Sequence, residues 1–260
     1  MKNNNSKDSL GDRMKKAEDT FRFKVPPRSP LIIRIDGKAF HSLTKRCKRP
    51  SDTDVVDCME ATAKELCSKI SSVKLAYVQS DEISLLVTPY EDFNTQAWFD
   101  GNIQKIVSIS ASIASTTFTK KSLEIKDSID KKDILYCNAY EKFGNTPALF
   151  DSRIFTLPEN DIVNYFLWRQ QDATRNSVQM LARSLFSHKE CTDKNCTELK
   201  NMCVVQKNIN WEDMPTSFKR GFCIIKKKNE LGRMKWETDK EIPIFSEDRE
   251  YIKNLIPLYL

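Results

Sequence analysis

Blocks of apolar and polar positions along the chain switch between strand-like and helix-like periods, and the switches mark its elements. Leu31 to Asp36, within LIIRIDGKAFH, is apolar on both faces of an extended chain, the pattern of a strand central in its sheet. From Asp52 to Ile70, the apolar residues Val55, Val56, Met59, Ala63, Leu66 and Ile70 recur at helical spacing. KLAYVQSDEISLLV reads as strand, polar turn, strand. A second amphipathic helix runs from Trp98 to Phe118, with Phe99, Ile103, Ile106, Ser110 and Ile113 down one side. ILYCNAYEKF and ALFDSRIFTLP are extended segments, and a long helix from Asn160 to Phe186 carries LWRQQDATRN. Ahead of the first strand, LGDRMKKAEDTFRF reads as a short helix, and VPPRSP is held extended by its prolines. Residues 3–5 are a polar, frayed start. After the long helix come a polar, cysteine-bearing loop, a strand in RGFCIIKKK, and strands at Trp236 and from Ile242 to Phe245.

Strand, helix, strand, hairpin turn, strand, helix, strand is the order of the split βαβ, ferredoxin-like layout. The fold class expected is α+β: an antiparallel βαββαβ sheet with helices on one face, plus a C-terminal helical and strand extension. No internal repeat and no Gly/Ser-rich linker divides the chain, and its six glycines form nothing like a Gly-rich phosphate loop.

In that topology the first and third strands are central neighbours. The first ends at Asp36, and the second and third are joined through QSDE, which carries Asp81 and Glu82. Asp36 and Asp81 are thereby aimed at one spot. A carboxylate closing a core strand costs desolvation energy, and a second one nearby raises the pKa of both; a helix cap, an ion pair or a cation compensates. Two hard oxygen ligands with room for phosphate oxygens suit Mg2+. A pair of such ions about 4 Å apart clamps the attacking and leaving oxygens of a phosphoryl transfer. Gly37, without a Cβ, lets the backbone approach an ion closely. The same letters also spell plain turns, DG at a strand end and SDE in a solvated hairpin, and pattern alone leaves both readings open.

Composition adds the setting. At 260 residues, 30% charged and 40% hydrophobic, the chain has a soluble globular balance and length enough for a core that needs no staples. Its net charge of +6 suits a polyanion such as RNA or a nucleotide. The eight cysteines follow a start with no apolar signal region and no Arg-rich, acid-poor transit pattern, so a reducing compartment and free thiols are expected. No apolar run approaches the ~18 residues of a membrane span, and no membrane partner is expected.

RIDGKAFHSLTK and YVQSDEISLLV, followed in order by FDSRIF and WRQQD, resemble the tRNA-histidine guanylyltransferase family, over roughly Leu10 to Lys228. The resemblance implies a polymerase-palm fold whose two-metal site adds nucleotides to the 5′ end of RNA. It makes residues 1–145 a palm-like catalytic core. Residues 146–260 become the C-terminal part of the same catalytic unit, with a long helix and an RNA-contacting or oligomer-forming extension. Asp36 and Asp81 match the metal carboxylates, with Glu82 beside them as a catalytic acid, and Gly37 gives a backbone carbonyl to the metal. Lys38, Ala39, Phe40, His41, Lys45 and Ser80 surround the nucleotide, and Lys105 in GNIQKI matches a lysine that meets the triphosphate. Arg34, Lys45 and Lys105 are the cations placed to stabilise phosphates.

Two departures matter. The arginines near that lysine in the guanylyltransferases are replaced by Gly101 and Asn102. The His-Ile-Asn-Asn-Leu-Tyr-Asn run after the WRQ motif is TRNSVQM here, from Thr174 to Met180, with only Asn176 kept. With LFSHKE and PTSFKRG, this resembles the guanylyltransferase-like branch, which extends 5′-truncated tRNA with the opposite strand as template. That branch implies two Mg2+ ions, ATP and GTP or other NTPs as substrates, and tRNA with an incomplete 5′ end as partner. It also implies ATP adenylylation of the RNA end before attack by an NTP 3′-hydroxyl, and a homotetramer. The expected setting is cytoplasmic, with the mitochondrial matrix as alternative. The competing readings are a guanylyltransferase adding one G to tRNA-histidine, and a non-catalytic RNA-binding palm module.

Other groups carry weaker expectations. His188, Cys191, Cys196 and Cys203 are four candidate zinc ligands, but their spacing matches no familiar knuckle and free thiols in a loop are expected. KRCKRP and IKKKNELGRMK read either as solvated charge runs or as RNA-facing patches. Trp168, on an apolar helix face, is expected in the core rather than on a base-stacking platform. Arg169 and Asp172 are expected to pair locally, with Asp151 and Arg153 on a strand beside the same site and no role assigned to the four.

Overall fold

The computed structural model describes residues 9–92, 94–129, 136–138, 141, 146–230 and 232–257. A capping box of Ser9 and Asp12 opens α1 (Leu10–Asp19). β1 (Leu31–Gly37) passes through the short α2 (Phe40–Leu43) to α3 (Thr53–Lys69), whose N-cap Asp52 accepts from the Asp54 amide at 3.0 Å. β2 (Val73–Gln79) and β3 (Glu82–Val87) form a tight hairpin. A 3-10 turn at Trp98–Gly101 then leads into α4 (Ile103–Ser128), so the second helix starts later than its apolar spacing predicts. β4 (Phe150–Thr156) and the long α5 (Glu159–Leu185) follow. The remainder contributes α6 (His188–Cys191), α7 (Cys196–Lys207), α8 (Thr216–Arg220), β5 (Phe222–Lys228), β6 (Met234–Asp239) and α9 (Glu250–Lys253).

The strands make one sheet, order β4-β1-β3-β2-β5-β6, antiparallel at every step. Its first four members are the βαββαβ unit, with β1 and β3 side by side in the middle, as the order of elements predicts. α3 and α4 cover one face, where Met59, Ala63, Leu66, Ala114 and Phe118 join Ile33, Ile35, Val78 and Leu85 in a single cluster. The extension covers the other face: Ile162, Tyr165 and Phe166 of α5, with Ile242 and Phe245, meet Ile32, Leu75 and Leu86. β1 shows no apolar alternation because both of its faces are covered. Burying each such side chain fully is worth about 1.5–3 kcal/mol.

Two expected elements differ. Ile242 to Phe245 is not a strand. Pro243 has no amide to give, and the buried Gln170 side chain takes the backbone instead, donating to the Pro243 carbonyl at 2.9 Å and accepting from the Phe245 amide at 2.8 Å. Within ILYCNAYEKF, residues 136–138 are helical rather than extended. Most of that segment, like residues 3–5, lies outside the described residues. No helix among the described residues is long and apolar enough to cross a membrane.

Candidate active site

Register alone builds a charged end on the α5 face of the sheet. Across β4, β1, β3 and β2, one row holds Asp151, Asp36, Glu82 and Gln79; the next holds Arg153, Arg34, Ser84 and Tyr77; the third holds Phe155, Ile32, Leu86 and Leu75. The apolar row lies under α5. The acidic row is at the strand ends, where like charges directly opposite one another repel. Behind it, Arg34 and Arg153 form a second like-charged pair. Arg34 Nε is buried without a hydrogen-bond partner among the described residues, 3.9 Å from Glu82 Oε2.

The hairpin adds Asp81 to this end. The Gly37 amide donates to the Asp81 carbonyl at 3.1 Å and the Lys38 amide to the Leu149 carbonyl at 2.8 Å, so three segments close around the end of β1. Ser80, at φ 49°, makes the turn and its side chain bonds to Asp81. Burial pushes the Asp81 carboxyl above the usual range; the Ser80 bond pulls it back, and Asp36 and Glu82 push it up again. Burial also raises Asp36, helped by Glu82 and Asp151 and opposed by Arg34 and Arg153. Both acids are thus held where their charged form is disfavoured, and a hard cation reverses that preference. Among the described residues, no three or more His, Cys, Asp or Glu side chains are grouped to hold a metal ion alone. Two carboxylates completed by backbone, water and phosphate oxygens are a donor set that suits Mg2+.

Glu82 faces the same end but is already engaged. Its carboxylate takes two 2.8 Å bonds from Arg169 of α5, and Gln79 and Ser84 each donate to Oε1 at 3.3 Å. Arg169 also donates to Asp172 at 3.1 Å, and Arg175 bonds the other Asp172 oxygen. Burial works against the Arg169 charge, but the Glu82 bonds outweigh it and hold the guanidinium above its ordinary range. The expected local pairing of Arg169 with Asp172 is therefore one arm of a network that ties α5 to β3.

The turn after β1 carries Lys38, Ala39, Phe40, His41 and Lys45 past this end, and Phe40 differs from the rest. Lys38, Ala39 (φ 55°), His41 and Lys45 are exposed around α2, and His41 Nε2 lies 3.0 Å from the Ser42 hydroxyl. Phe40, expected at the nucleotide, instead puts its ring in the core, with centroids 5.2 Å from Phe118 and 4.9 Å from Phe150. That ring explains Gly37: a Cβ there would lie 2.3 Å from Phe40 Cδ2. The glycine is needed for Phe40 before any ligand is considered. Gly37→Ala is expected to cost about 1–3 kcal/mol through overpacking, read as a lower urea midpoint at unchanged slope.

Lys105 is not brought here. α4 runs antiparallel to β4: Ser110 donates to the Ser152 hydroxyl at 2.8 Å, while Ser115 and Thr119 accept from the Phe150 and Ala148 amides at 3.1 and 3.2 Å. At about 1.5 Å of rise per residue, Lys105 lies roughly 15 Å along the axis from Ser115, level with the far end of β4. It is exposed on the helix layer opposite Asp36, so its backbone does not sit at the carboxylate end of the sheet. The four zinc candidates do not assemble either. Cys203 is buried in an apolar cluster with Leu199 and Trp211, His188 is exposed at the start of α6, and Cys191, Cys196 and Cys203 are free thiols. Trp168, expected in the core, is 52% exposed.

Comparison with known proteins follows the same lines. Residues 11–158 match the Thg1 family, described as tRNAHis guanylyltransferase. A probable tRNA(His) guanylyltransferase of Drosophila melanogaster is 25% identical over 225 residues, 80% of this chain and 71% of that protein. A bacterial tRNA(His) guanylyltransferase (Thg1)-like protein in complex with ATP superposes with a TM-score of 0.84 at 43% identity, covering 95% of this chain and 99% of that one. One in complex with GTP gives 0.77 at 40% identity, covering 96% and 100%.

Proposed function

Because the chain belongs to the tRNAHis guanylyltransferase family, and is accordingly a nucleotidyltransferase, we propose that it extends the 5′ end of truncated tRNA in the 3′–5′ direction, with the opposite strand as template. The observation that carries this reading is the meeting of Asp36 and Asp81 at the end of β1, with Arg34 and Arg153 one row behind. Asp36, Asp81 and the Gly37 backbone oxygen would hold Mg2+, which when bound would supply a lowered pKa for an attacking hydroxyl and charge neutralisation for a leaving anion. The RNA 5′-phosphate oxygen displaces pyrophosphate from ATP; the 3′-hydroxyl of an NTP then attacks the activated phosphate and AMP departs. The ATP and GTP bound by the two bacterial relatives support those nucleotide roles. No protein nucleophile is required. Arg34 and Arg153 offset phosphate charge in the row behind the acids. Lys38, His41, Lys45 and Ser80 flank the same end and hold the nucleotide. Glu82, bonded on both oxygens to Arg169, acts as a positioning residue for the hairpin that carries Asp81.

The templated branch is favoured over addition of a lone G by residues 174–180. Within this run, which departs from the guanylyltransferase sequence at all but Asn176, Ser177 accepts from Trp211 Nε1 at 3.0 Å and Val178 is buried, so these two positions fasten α5 to the cluster around Trp211. Base pairing then chooses the nucleotide, and backbone contacts make RNA affinity salt-sensitive. The test is incubation of a 5′-truncated, end-labelled tRNA with ATP, all NTPs and Mg2+. Stepwise growth that halts when the acceptor stem is complete is expected. A single G added to full-length tRNA-histidine, whatever base lies opposite, would overturn the templated reading.

A further inference from the structure

We propose that the exposed face of Trp168 is a stacking platform for a nucleobase, fixed in place beside the acidic row. The proposal rests on the reading above for its choice of ligands alone. On α5, Tyr165 is 6% and Arg169 7% exposed, yet Trp168 between them is 52% exposed. It is a large apolar ring left in water, flanked on the same helix by the exposed polar residues Asn164 and Gln171.

The ring is nevertheless pinned. The Arg169 guanidinium lies over it, 4.5 Å from the ring centroid, and Tyr165 meets it edge-on at 6.0 Å. Neither neighbour is mobile: Arg169 is held by two 2.8 Å bonds to Glu82, and Tyr165 by a 2.8 Å bond to Ser84. A single guanidinium thus separates Trp168 from Glu82, the cross-strand neighbour of Asp36. Tyr165 in turn packs on Phe155 of β4, 5.6 Å between centroids, which sets Trp168 on the β4 side of α5, toward the exposed Asp151–Arg153 pair. An exposed aromatic face with its rotamer already fixed loses little entropy on binding. Every base offers a π-face to it, so the contact suits a templated reaction that must accept all bases.

The chemistry recognised is a nucleobase, and it has two sources: an NTP, or the terminal base of the RNA stem. Equilibrium binding of GTP, and separately of a 5′-truncated acceptor-stem hairpin, is measured for the wild type, Trp168→Phe and Trp168→Ala. Trp168→Ala is expected to weaken one of the two by roughly tenfold or more, with Trp168→Phe recovering most of the loss and the melting temperature unchanged. The ligand that weakens identifies the source. Unchanged binding of both ligands by Trp168→Ala would overturn the platform, as would equal losses in the Phe and Ala variants. The readout needs no turnover, so it separates the two ideas. If the wild type extends no tRNA while Trp168→Ala still loses affinity, the platform stands and the templated reaction falls. If extension proceeds and affinity is unmoved, the reverse holds.

Discussion

Asp36→Ala and Asp81→Ala are each expected to lower nucleotide addition by about a thousandfold or more, with the fold intact and RNA binding largely kept. Removing one of two carboxylates from a cation site forfeits several kcal/mol of charge stabilisation in the transition state, and each ~1.4 kcal/mol is a factor of ten in rate. The stability arm runs the other way. Both carboxyls are raised by burial first, then by neighbouring acids. A raised pKa means that the folded state favours the proton. The contribution is fully present below the ordinary carboxylate pKa and is lost as pH rises through the raised value. Without divalent cations at neutral pH, Asp36→Asn should therefore melt no lower than the wild type. Its advantage should vanish toward acid pH, where the wild type protonates unaided. Added Mg2+ should raise the wild-type melting temperature and leave the variants unmoved. Full activity in either alanine variant would remove the metal assignment.

Arg169→Ala and Glu82→Ala are each expected to destabilise the protein by up to about 3–5 kcal/mol, because each removes the closest partner of a buried charge and leaves Arg169 only Asp172, or Glu82 only the more distant Arg34. The side chains are 8% and 10% exposed, too dry for water to take over. At this chain length the loss corresponds to a fall in melting temperature on the order of 10 °C. Glu82→Gln combined with Arg169→Met removes both charges and should recover much of the loss, because the pair's desolvation cost disappears with it. A double variant as unstable as the sum of Glu82→Gln and Arg169→Met measured singly would show that the two residues act independently and that the clamp between α5 and β3 is not an interaction at all.

The sheet was legible because β1 and the hairpin advertise different environments. Leu31 to Ile35 is apolar without alternation, as a strand covered on both faces must be, and QSDE between two apolar runs admits only a tight turn. Those two facts place Asp36 near Asp81 before any coordinates. What pattern does not carry is the pitch of a helix across a sheet. Trp168 sits in an apolar stretch and reads as core, yet α5 crosses so that Tyr165, Phe166 and Arg169 face inward and the indole falls at the flank. Nor does pattern carry the level of Lys105: the resemblance matches it to a lysine that meets the triphosphate, and the antiparallel run of α4 against β4 sets the start of that helix toward the far end of the strand. Phe40 adds a further point, since its ring lies in the core while its backbone stays in the turn. A residue inside a ligand-binding loop can belong to it through its backbone while its side chain is the nail that fixes the loop to the core.

That nail has an evolutionary corollary. Because the Phe40 ring fills the volume that any side chain at position 37 would need, the two positions constitute one inherited decision. Enlarging position 37 carries a packing cost for as long as position 40 is a phenylalanine. Shrinking position 40 first would loosen the turn next to Asp36 and Asp81, so a change at either position alone carries a cost that a paired change would avoid.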